Sequence, residues 1–265
     1  MNTICMLTWR EWVRFFRQRH RVIAALGQPI LFWLLFGTGM HQSFRVAGGT
    51  DFMSYYLPGT VALILMFTAI FATISIIEDR REGFLQNVLV APVPRWTIAV
   101  GKILGGGAIA WVQAAIFIGL AILVGSVTIS WGLLGLAILM AITAAGLTAL
   151  GVMFAWPMDS TQGFHAVMNL VLMPLWLLSG AFFPIPYPGT TAEIGQVVIH
   201  WIMRLNPLSY AVSGMRQLLM PLKEEGVGVW QPSLELCWIV TILFSVLAIA
   251  MAALVVRRPA RGDLR

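Results

Sequence analysis

The sequence predicts an all-α membrane protein with six transmembrane helices. Two features support this fold class: five long stretches contain no Asp, Glu, Lys or Arg, and the basic residues between them fall mostly on alternate connecting segments. Hydrophobic residues make up 59% of the chain, charged residues make up 11%, and the mean hydropathy is +0.85. A chain of this composition would not stay soluble as an ordinary globular domain.

The uncharged stretches set the number of predicted spans. They run through residues 22–44, 52–77, 103–158, 160–192 and 236–256. A bilayer core of about 30 Å needs roughly 20 apolar helical residues, so the third stretch is long enough for two helices. Gly, Ser and Thr interrupt it at 125–131, where we place the break. The six predicted spans lie near residues 22–40, 57–77, 103–124, 132–156, 164–183 and 236–256.

The basic residues predict the orientation of the chain. Six spans place both termini on one side of the membrane, and 13 Lys and Arg residues fall on that side against 4 on the other. The larger group comprises Arg10, Arg14, Arg17, Arg19, Arg21, Arg80, Arg81, Arg95, Lys102, Arg257, Arg258, Arg261 and Arg265, and the smaller comprises Arg45, Arg204, Arg216 and Lys223. Because Lys and Arg are enriched on the cytoplasmic side, we expect both termini in the cytoplasm and the chain in a bacterial inner (plasma) membrane. Anionic lipid then explains the net charge of +6, and no nucleic-acid partner is expected.

The N-terminal segment, residues 1–21, has the pattern of an amphipathic interfacial helix. Its apolar positions follow helical spacing and are Trp9, Trp12, Val13 and Phe16, while Arg10, Arg14, Arg17 and Arg21 line the adjacent flank. Such a helix is expected to lie along the cytoplasmic leaflet, with its Trp residues at headgroup level and its Arg residues toward phosphates. A basic leader that only sets the topology is the alternative.

The first cytoplasmic loop, residues 78–98, also contains a short amphipathic pattern. Its charged start is followed by apolar residues at helical spacing, which are Phe84, Leu85, Val88 and Leu89, and then by Pro92 and Pro94. Proline stops a helix, so a short surface helix is expected between these points. This helix would either dock a partner or rest on lipid.

Polar and small residues inside the spans predict helix packing. The predicted spans contain no charged residue in their central parts, so we expect no buried ion pair or proton relay, and a proton-coupled antiporter is disfavoured. Gln113 and Asn169 would either line a translocation path or join helices by hydrogen bonds. Gly101 with Gly105, and Gly146 with Leu150-Gly151 nearby, are spaced for close approach between helices.

Enzyme chemistry is not expected of this chain. The sequence contains no phosphate-binding G-x-x-x-x-G-K-[ST], no H-E-x-x-H and no G-x-S-x-G, and its four His residues fall in separate predicted segments. Asp159, in the turn between the fourth and fifth spans, reads as a turn or helix-cap residue. Cys5 and Cys237 are the only cysteines, so neither a disulfide framework nor a Cys-based metal site is expected.

The region 184–234, between the last two spans, is predicted to be external. Pro184, Pro186 and Pro188 are expected to end the fifth span, and a seventh span through Arg204 and Pro207 would strand a charge and a broken backbone in lipid. A re-entrant pair of half-helices fits these residues. A helix lying flat on the outer leaflet is the alternative.

Three segments in register resemble a known family. Residues 78–93 resemble the E-x-x-R-E-G-x-x-x-x-x-L-x-A-P-V segment of type 2 ATP-binding-cassette (ABC) exporter permeases, and residues 178–184 (LSGAFFP) and 206–211 (NPLSYA), with Arg216, follow in the same order. The chain looks like the drug-resistance and nodulation-export branch of that family. Two departures are Phe84, where Thr is commoner after the glycine, and a rather long stretch between Pro184 and Asn206.

The resemblance implies a single permease domain, 1–265, that serves as the transmembrane subunit of an exporter. ATP and Mg would be bound by a separate ATPase subunit, no cofactor by this chain, and a second permease, identical or homologous, would complete a dimer. Coupling to the ATPase would fall on Glu78, Arg81, Glu82, Gly83, Phe84, Leu89 and Pro92. An external gate would contain Ser179, Gly180, Phe183, Pro184, Asn206, Pro207, Tyr210 and Arg216. Drug-like, lipid and saccharide substrates stay open, and an ATP-independent membrane scaffold or assembly factor is the alternative function.

Overall fold

The chain folds into a bundle of α-helices. The structure, a computed structural model, describes residues 3–39, 52–90, 94–188, 193–220 and 229–258. Within these ranges it has eleven helices: α1 (Thr3–Arg17), α2 (Arg19–Gly39), α3 (Phe52–Ala72), α4 (Ile74–Arg81), α5 (Phe84–Val90), α6 (Trp96–Leu123), α7 (Gly132–Ala155), α8 (Thr161–Leu177), α9 (Ile194–Leu205), α10 (Pro207–Leu219) and α11 (Leu234–Arg257). The only β pairing in these ranges is an isolated antiparallel bridge between Pro186 and Val229. The predicted all-α class is confirmed.

Four helical stretches among the described residues are long and apolar enough to cross a membrane, judged by length and composition. They are Phe52–Arg81, which joins α3 to α4, and Trp96–Leu123, Gly132–Ala155 and Leu234–Arg257. The other two predicted spans are shorter: α8 has 17 residues, and the apolar part of α2 is Ala25–Gly39. The protein therefore has several apolar helices suited to a multi-pass arrangement, and the six-span count stays a prediction.

The fifth predicted span ends earlier than expected. Helix α8 stops at Leu177, whereas the sequence placed the end of the span near Phe183. A turn follows in which Gly180 has a φ of +73°, a conformation that favours glycine and commonly ends helices. The prediction counted uncharged residues, and the absence of charge does not mark the point at which a helix stops.

Helix α3 lies at the centre of the bundle. It packs against α2, α6, α7, α8 and α10, and most of its side chains are buried. Helix α11 packs on the outer side of this core, mainly against α7. The predicted break within the third uncharged stretch is confirmed, because α6 ends at Leu123 and α7 begins at Gly132.

Small residues allow helices to approach closely, as predicted. A Cβ atom on Gly146 would lie 3.0 Å from the Cα atom of Ser245 in α11, and one on Gly151 would lie 3.0 Å from the Cα atom of Ile70 in α3. Ser245 also donates a hydrogen bond of 2.8 Å to the Ile142 carbonyl. Contacts of this kind hold helices together in lipid, where the hydrophobic effect between helices is weak.

Gly101 and Gly105 also permit close packing, but their partner is the N-terminal helix. A Cβ atom on Gly101 would lie 2.8 Å from the Leu7 Cβ atom, and one on Gly105 would lie 2.8 Å from the Glu11 Cβ atom. Helix α1 therefore rests directly on the start of α6. Its Leu7, Glu11 and Phe15 are buried against the protein, so only its other faces are available to lipid.

Replacing Gly105 by Ala should destabilise the protein through this contact. Overpacking of a close interface typically costs about 1–3 kcal/mol. Gly119→Ala in the same helix is the matched control, because no atom lies within 4 Å of its added Cβ. The midpoint temperature of thermal unfolding in detergent should be lower for Gly105→Ala than for Gly119→Ala. Equal midpoints would contradict the packing of α1 on α6.

Candidate functional site

A cluster of buried charges joins α1, α4 and α6. The Lys102 ammonium lies 2.5 Å from a carboxylate oxygen of Glu11 and 2.5 Å from one of Asp79, and it also contacts the Ser75 hydroxyl at 3.0 Å. The side chains of Lys102, Glu11 and Asp79 are only 2%, 6% and 0% exposed. Lys102 thus links the N-terminal helix α1 to α4, which continues the central helix α3.

Two arginines of α1 complete the cluster. Arg10 binds both oxygens of Asp79, at 2.8 and 2.6 Å, in the bidentate geometry that gives strong ion pairs. Arg14 donates to Asp79 at 2.7 Å and to Glu78 at 2.7 Å. Burial lowers the pKa of Arg10, but hydrogen bonding to Asp79 and its negative charge outweigh burial and raise the pKa overall. The guanidinium therefore stays charged.

Two predictions about charge are wrong at this cluster. No buried ion pair was expected, and Arg10 and Arg14 were expected to face lipid phosphates. Each charge does lie outside the uncharged stretches, but helix packing brings these charges together and buries them. Helix α6 begins at Trp96, earlier than the predicted start at 103, and so includes Lys102. Arg10, Arg14 and Lys102 balance Glu11, Glu78 and Asp79 in number, which offsets the cost of removing the charges from water.

A corner at Gly83 joins α4 to the predicted short surface helix. Gly83 has a φ of +75°, and a Cβ atom added there would meet no atom within 4 Å, so its backbone conformation is what favours glycine. Helix α5 follows, with Leu85 buried and the Phe84 ring 3.7 Å from the Arg10 guanidinium carbon. The predicted short helix is confirmed. The Leu89 side chain and Pro92 lie outside the described residues.

The end of α4 is fixed to the turn between α7 and α8. Arg80, which was not among the predicted site residues, donates to the carbonyls of Trp156 (2.6 Å) and Met158 (3.0 Å). Arg81 donates to the Asp159 carbonyl at 2.8 and 3.1 Å. The family segment matches Arg81 and leaves Arg80 at an unspecified position, so the sequence offered no reason to select Arg80. In that turn, Ser160 rather than Asp159 caps α8.

Glu82 presents an exposed carboxylate at this end of the bundle. Its side chain is 60% exposed and lies 3.5 Å from Arg14. A groove of about 920 Å³ runs beside it between α1 and α5. Its walls include Trp9, Val13, Arg17 and Val88. Of the predicted coupling residues, Glu82 and Phe84 line this groove together with residues of the N-terminal helix.

At the opposite end of the bundle, Gly180 is held by two side chains. Its carbonyl accepts hydrogen bonds from Arg216 at 2.8 Å and from the Tyr55 hydroxyl at 3.1 Å. The Arg216 guanidinium carbon lies 4.1 Å from the centre of the Tyr55 ring. The structure thus brings together two residues that the family segments identified, Gly180 and Arg216. It adds Tyr55, which no sequence pattern indicated.

The predicted break at Asn206-Pro207 is present between α9 and α10. The Asn206 carboxamide oxygen accepts from the Leu208 amide at 3.0 Å and caps α10, while its nitrogen donates to the Leu175 carbonyl at 2.6 Å. Pro207 occupies the first turn of α10, where its missing N–H costs nothing. The break is therefore fastened to the end of α8.

The other predicted gate residues are spread around this end. Ser179 is buried and donates to the Trp176 carbonyl at 2.6 Å. The Tyr210 ring packs edge-on against Trp230, with centroids 5.5 Å apart. Phe183 is exposed and Pro184 is half-buried. These four residues do not form a single constellation with Arg216.

Gln113 and Asn169 occupy different environments. Gln113 is buried between α6 and α3, where its oxygen accepts from Thr68 at 2.5 Å. Its amide nitrogen is buried and has no hydrogen-bond partner in the part of the chain that the structure describes. Asn169 is exposed on the outer face of α8. Gln113 therefore joins α6 to α3, whereas Asn169 faces away from the bundle.

Comparison with known proteins agrees with the resemblance to type 2 ABC exporter permeases. Residues 2–220 match the family described as ABC-2 type transporter. The chain is 23% identical over 228 residues to a protein of Cyanophora paradoxa named putative transport permease ycf38, a match that covers 82% of this chain and 74% of the relative. It is 26% identical over 196 residues to the inner membrane transport permease YadH of Escherichia coli K12, covering 70% of each. It is 25% identical to the probable multidrug ABC transporter permease YbhR of the same strain, covering 51% of this chain and 37% of YbhR.

Replacing Lys102 by Met should strongly destabilise the fold. Glu11 would lose its buried ammonium partner, and Asp79 would lose one of its three basic partners. Breaking a buried ion pair costs about 3–5 kcal/mol. Adding Glu11→Gln to Lys102→Met should recover part of the loss, since one uncompensated carboxylate is removed. Arg17→Met, at an exposed position of α1, is the control. Chemical unfolding in detergent gives the free energy of unfolding of the wild type, Lys102→Met, the double variant and Arg17→Met. A Lys102→Met variant as stable as Arg17→Met would exclude the proposed role of the cluster.

Proposed function

Because the chain belongs to the ABC-2 type transporter family, we propose that it is the permease subunit of an ABC exporter driven by a separate ATPase. ATP and Mg are bound by that ATPase, and this chain contributes no catalytic residue. The observation that carries the proposal is the charge cluster, which locks α1 to α4 and α6 directly beside the exposed end of α5. A partner that pushes on this surface moves the central helix with it.

The proposed orientation places the α1 end in the cytoplasm and the α9–α10 end outside, in a bacterial inner membrane. The 13-to-4 distribution of basic residues supports this orientation. Helices α2 and α8 then serve as the two remaining spans. At 17 residues, α8 falls at the lower limit for crossing a bilayer, and the turn at Gly180 follows it.

The ATPase contact is assigned to α5 and the adjoining groove. Gln86, Asn87 and Val90 are exposed on α5, and Glu82 is exposed at the corner. Gly83 sets the angle between α4 and α5, and Phe84 transmits displacement to Arg10. Leu89 and Pro92 complete the proposed contact. Because Arg10 binds Asp79, a displacement of α5 reaches α4 through two direct contacts.

The external gate is assigned to the break at Asn206-Pro207 and to the Gly180 turn. Helices α9 and α10 form the proposed re-entrant pair. Arg216 and Tyr55 hold the Gly180 carbonyl, so the gate contacts the central helix directly. A change in the position of α3 therefore alters the contacts that close this end. A dimer with a second permease, identical or homologous, supplies the other wall of the export path, and the exposed Asn169 of α8 is available to line it.

Cysteine labelling tests the orientation. A cysteine at Tyr187, whose native side chain is 61% exposed at the α9–α10 end, should react with an impermeant maleimide in intact spheroplasts. A cysteine at the exposed Gln86 of α5 should react only after lysis. Both variants carry Cys5→Ser and Cys237→Ala to remove the native thiols. Reaction of the Gln86 cysteine in intact cells would reverse the proposed sidedness.

A comparison of two substitutions at Gly83 tests the coupling surface. Forcing a Cβ-bearing residue into the left-handed conformation costs roughly 1–2 kcal/mol, and Asn tolerates it better than Ala. We expect Gly83→Ala to reduce stimulation of the co-purified ATPase more than Gly83→Asn, with both variants inserted at wild-type level. Leu170→Ala on the outer face of α8 is the control for insertion.

The outcome separates the permease from the scaffold. Equal ATPase stimulation by the wild type, Gly83→Ala and Gly83→Asn would remove the corner from the coupling mechanism. Failure of the wild-type chain itself to alter the activity of any ATPase that co-purifies with it would favour the ATP-independent membrane scaffold.

A further inference from the structure

A half-buried arginine without an anionic partner lies at the α9–α10 end of the bundle. The guanidinium carbon of Arg204, in the last turn of α9, lies 5.0 Å from the centre of the Trp201 ring and 5.6 Å from that of Trp230. Both distances are typical of cation–π contacts, and we call these two rings the indole clamp. Within the described residues, no carboxylate pairs with Arg204 and no oxygen accepts a hydrogen bond from it. Its N–H donors therefore remain available to a ligand.

Arg216, at the same end of the bundle, provides a contrast. It also rests on an aromatic ring, that of Tyr55, but it donates a hydrogen bond of 2.8 Å to the Gly180 carbonyl. Arg204 has the ring contacts without such an oxygen. A partly desolvated cation without an acceptor carries a free-energy cost, which a bound anion would offset.

The indole clamp is itself held in place. The Trp230 amide donates a hydrogen bond of 2.8 Å to the Ile185 carbonyl. The Trp230 ring meets Tyr210 and His200 edge-on, with centroids 5.5 and 6.1 Å apart. These contacts fix one face of the site before any ligand arrives. The guanidinium is therefore oriented in advance, which lowers the entropic cost of binding.

Helix α9 also presents an exposed apolar face. Only His200 and Met203 of this helix are buried, whereas Ile194 is 84% exposed and Leu205 is 78% exposed. With 12 residues, the helix is about 18 Å long, which is too short to cross a bilayer. An amphipathic helix of this kind places its apolar face among lipid acyl chains.

The cation and the apolar face adjoin each other. Leu205 follows Arg204 directly, and Trp201 belongs both to the indole clamp and to the exposed face, with an exposure of 50%. A phospholipid has the matching form, because its phosphate lies beside its acyl chains. A guanidinium binds two phosphate oxygens at once and stacks on aromatic rings, whereas an ammonium does neither as well. An anionic headgroup would also balance the charge that no described carboxylate balances.

We propose that Arg204 and the indole clamp bind the phosphate of an anionic phospholipid in the leaflet at the α9–α10 end, with the acyl chains along the exposed face of α9. Arg204 lies just before the break at Asn206-Pro207, so the bound lipid fixes the end of α9 beside the proposed gate. The site goes beyond the exporter function. It stands whether or not an ATPase drives the chain, since its test measures α9 without one.

The test is hydrogen–deuterium exchange of the α9 amides, measured by mass spectrometry on the full chain in nanodiscs of phosphatidylglycerol mixed with phosphatidylcholine. Binding should reduce local opening, so phosphatidylglycerol should slow this exchange in the wild type. Arg204→Gln should raise the phosphatidylglycerol fraction needed for half-maximal protection about fivefold. Arg257→Gln removes an exposed arginine at the opposite end of the bundle and is the matched control, which should respond like the wild type.

Two further variants test the clamp itself. Trp201→Leu, at an exposed position that folding should tolerate, keeps the charge but removes one ring and should weaken the response to phosphatidylglycerol several-fold. Arg204→Lys keeps the charge but lacks the planar guanidinium, so its response should lie between those of the wild type and Arg204→Gln. Wild-type responses in both variants would overturn the clamp and leave charge alone as the cause.

The lipid composition identifies the source of the phosphate. Inorganic phosphate added to nanodiscs of phosphatidylcholine alone should leave the exchange of α9 unchanged, and protection equal to that by phosphatidylglycerol would overturn the lipid assignment. Equal protection by phosphatidylglycerol and phosphatidylcholine would overturn the preference for an anionic lipid. If Arg204→Gln speeds exchange by the same factor in both lipids, Arg204 only packs between the two rings and the proposal fails.

Discussion

The fold depends most on the buried carboxylate of Asp79. It accepts hydrogen bonds from Lys102 of α6 and from Arg10 and Arg14 of α1, so three elements must be in place before its charge is compensated. An isolated carboxylate in such a position carries a desolvation penalty of several kcal/mol. The other features at this end follow from that requirement: α6 carries glycine where α1 crosses it, and α5 begins where Phe84 meets Arg10.

The central helix connects this cluster to the opposite end of the bundle. The stretch Phe52–Arg81 contains 30 residues, about 45 Å of helix at 1.5 Å per residue. Near its first turn, the Tyr55 hydroxyl holds the Gly180 carbonyl, and near its last turn Asp79 holds the charge cluster. Because the intervening surface is almost wholly buried, α3 cannot shift without repacking its neighbours. The proposed ATPase surface and the proposed gate therefore both contact this one helical stretch.

The sequence predicted several features that depend on local backbone preference, although it missed the end of α8 before Gly180. The helix break at 125–131, the short helix after Gly83 and the break at Asn206-Pro207 each follow from the residues that form them. Long-range contacts were not predicted, because Glu11 and Lys102 are 91 residues apart and no periodic pattern relates them. The glycine spacing in α6 indicated a close neighbour without identifying α1. The sequence pattern also placed Arg10 on a lipid-facing flank, since a helical wheel shows which residues share a face but not what that face contacts.

The basic residues of the charge cluster contribute to the charge asymmetry of the sequence as well as to packing. Counted along the sequence, Arg10, Arg14 and Lys102 contribute to the excess of positive charge that, in the proposed orientation, retains the termini in the cytoplasm. In the folded protein the same three residues pair with Glu11, Glu78 and Asp79. Acidic residues carry little weight in setting topology, so pairing does not cancel the signal that the basic residues provide on insertion. Insertion and packing can therefore use the same side chains in succession, first as free charges that orient the spans and then as the buried ion pairs that fix α1.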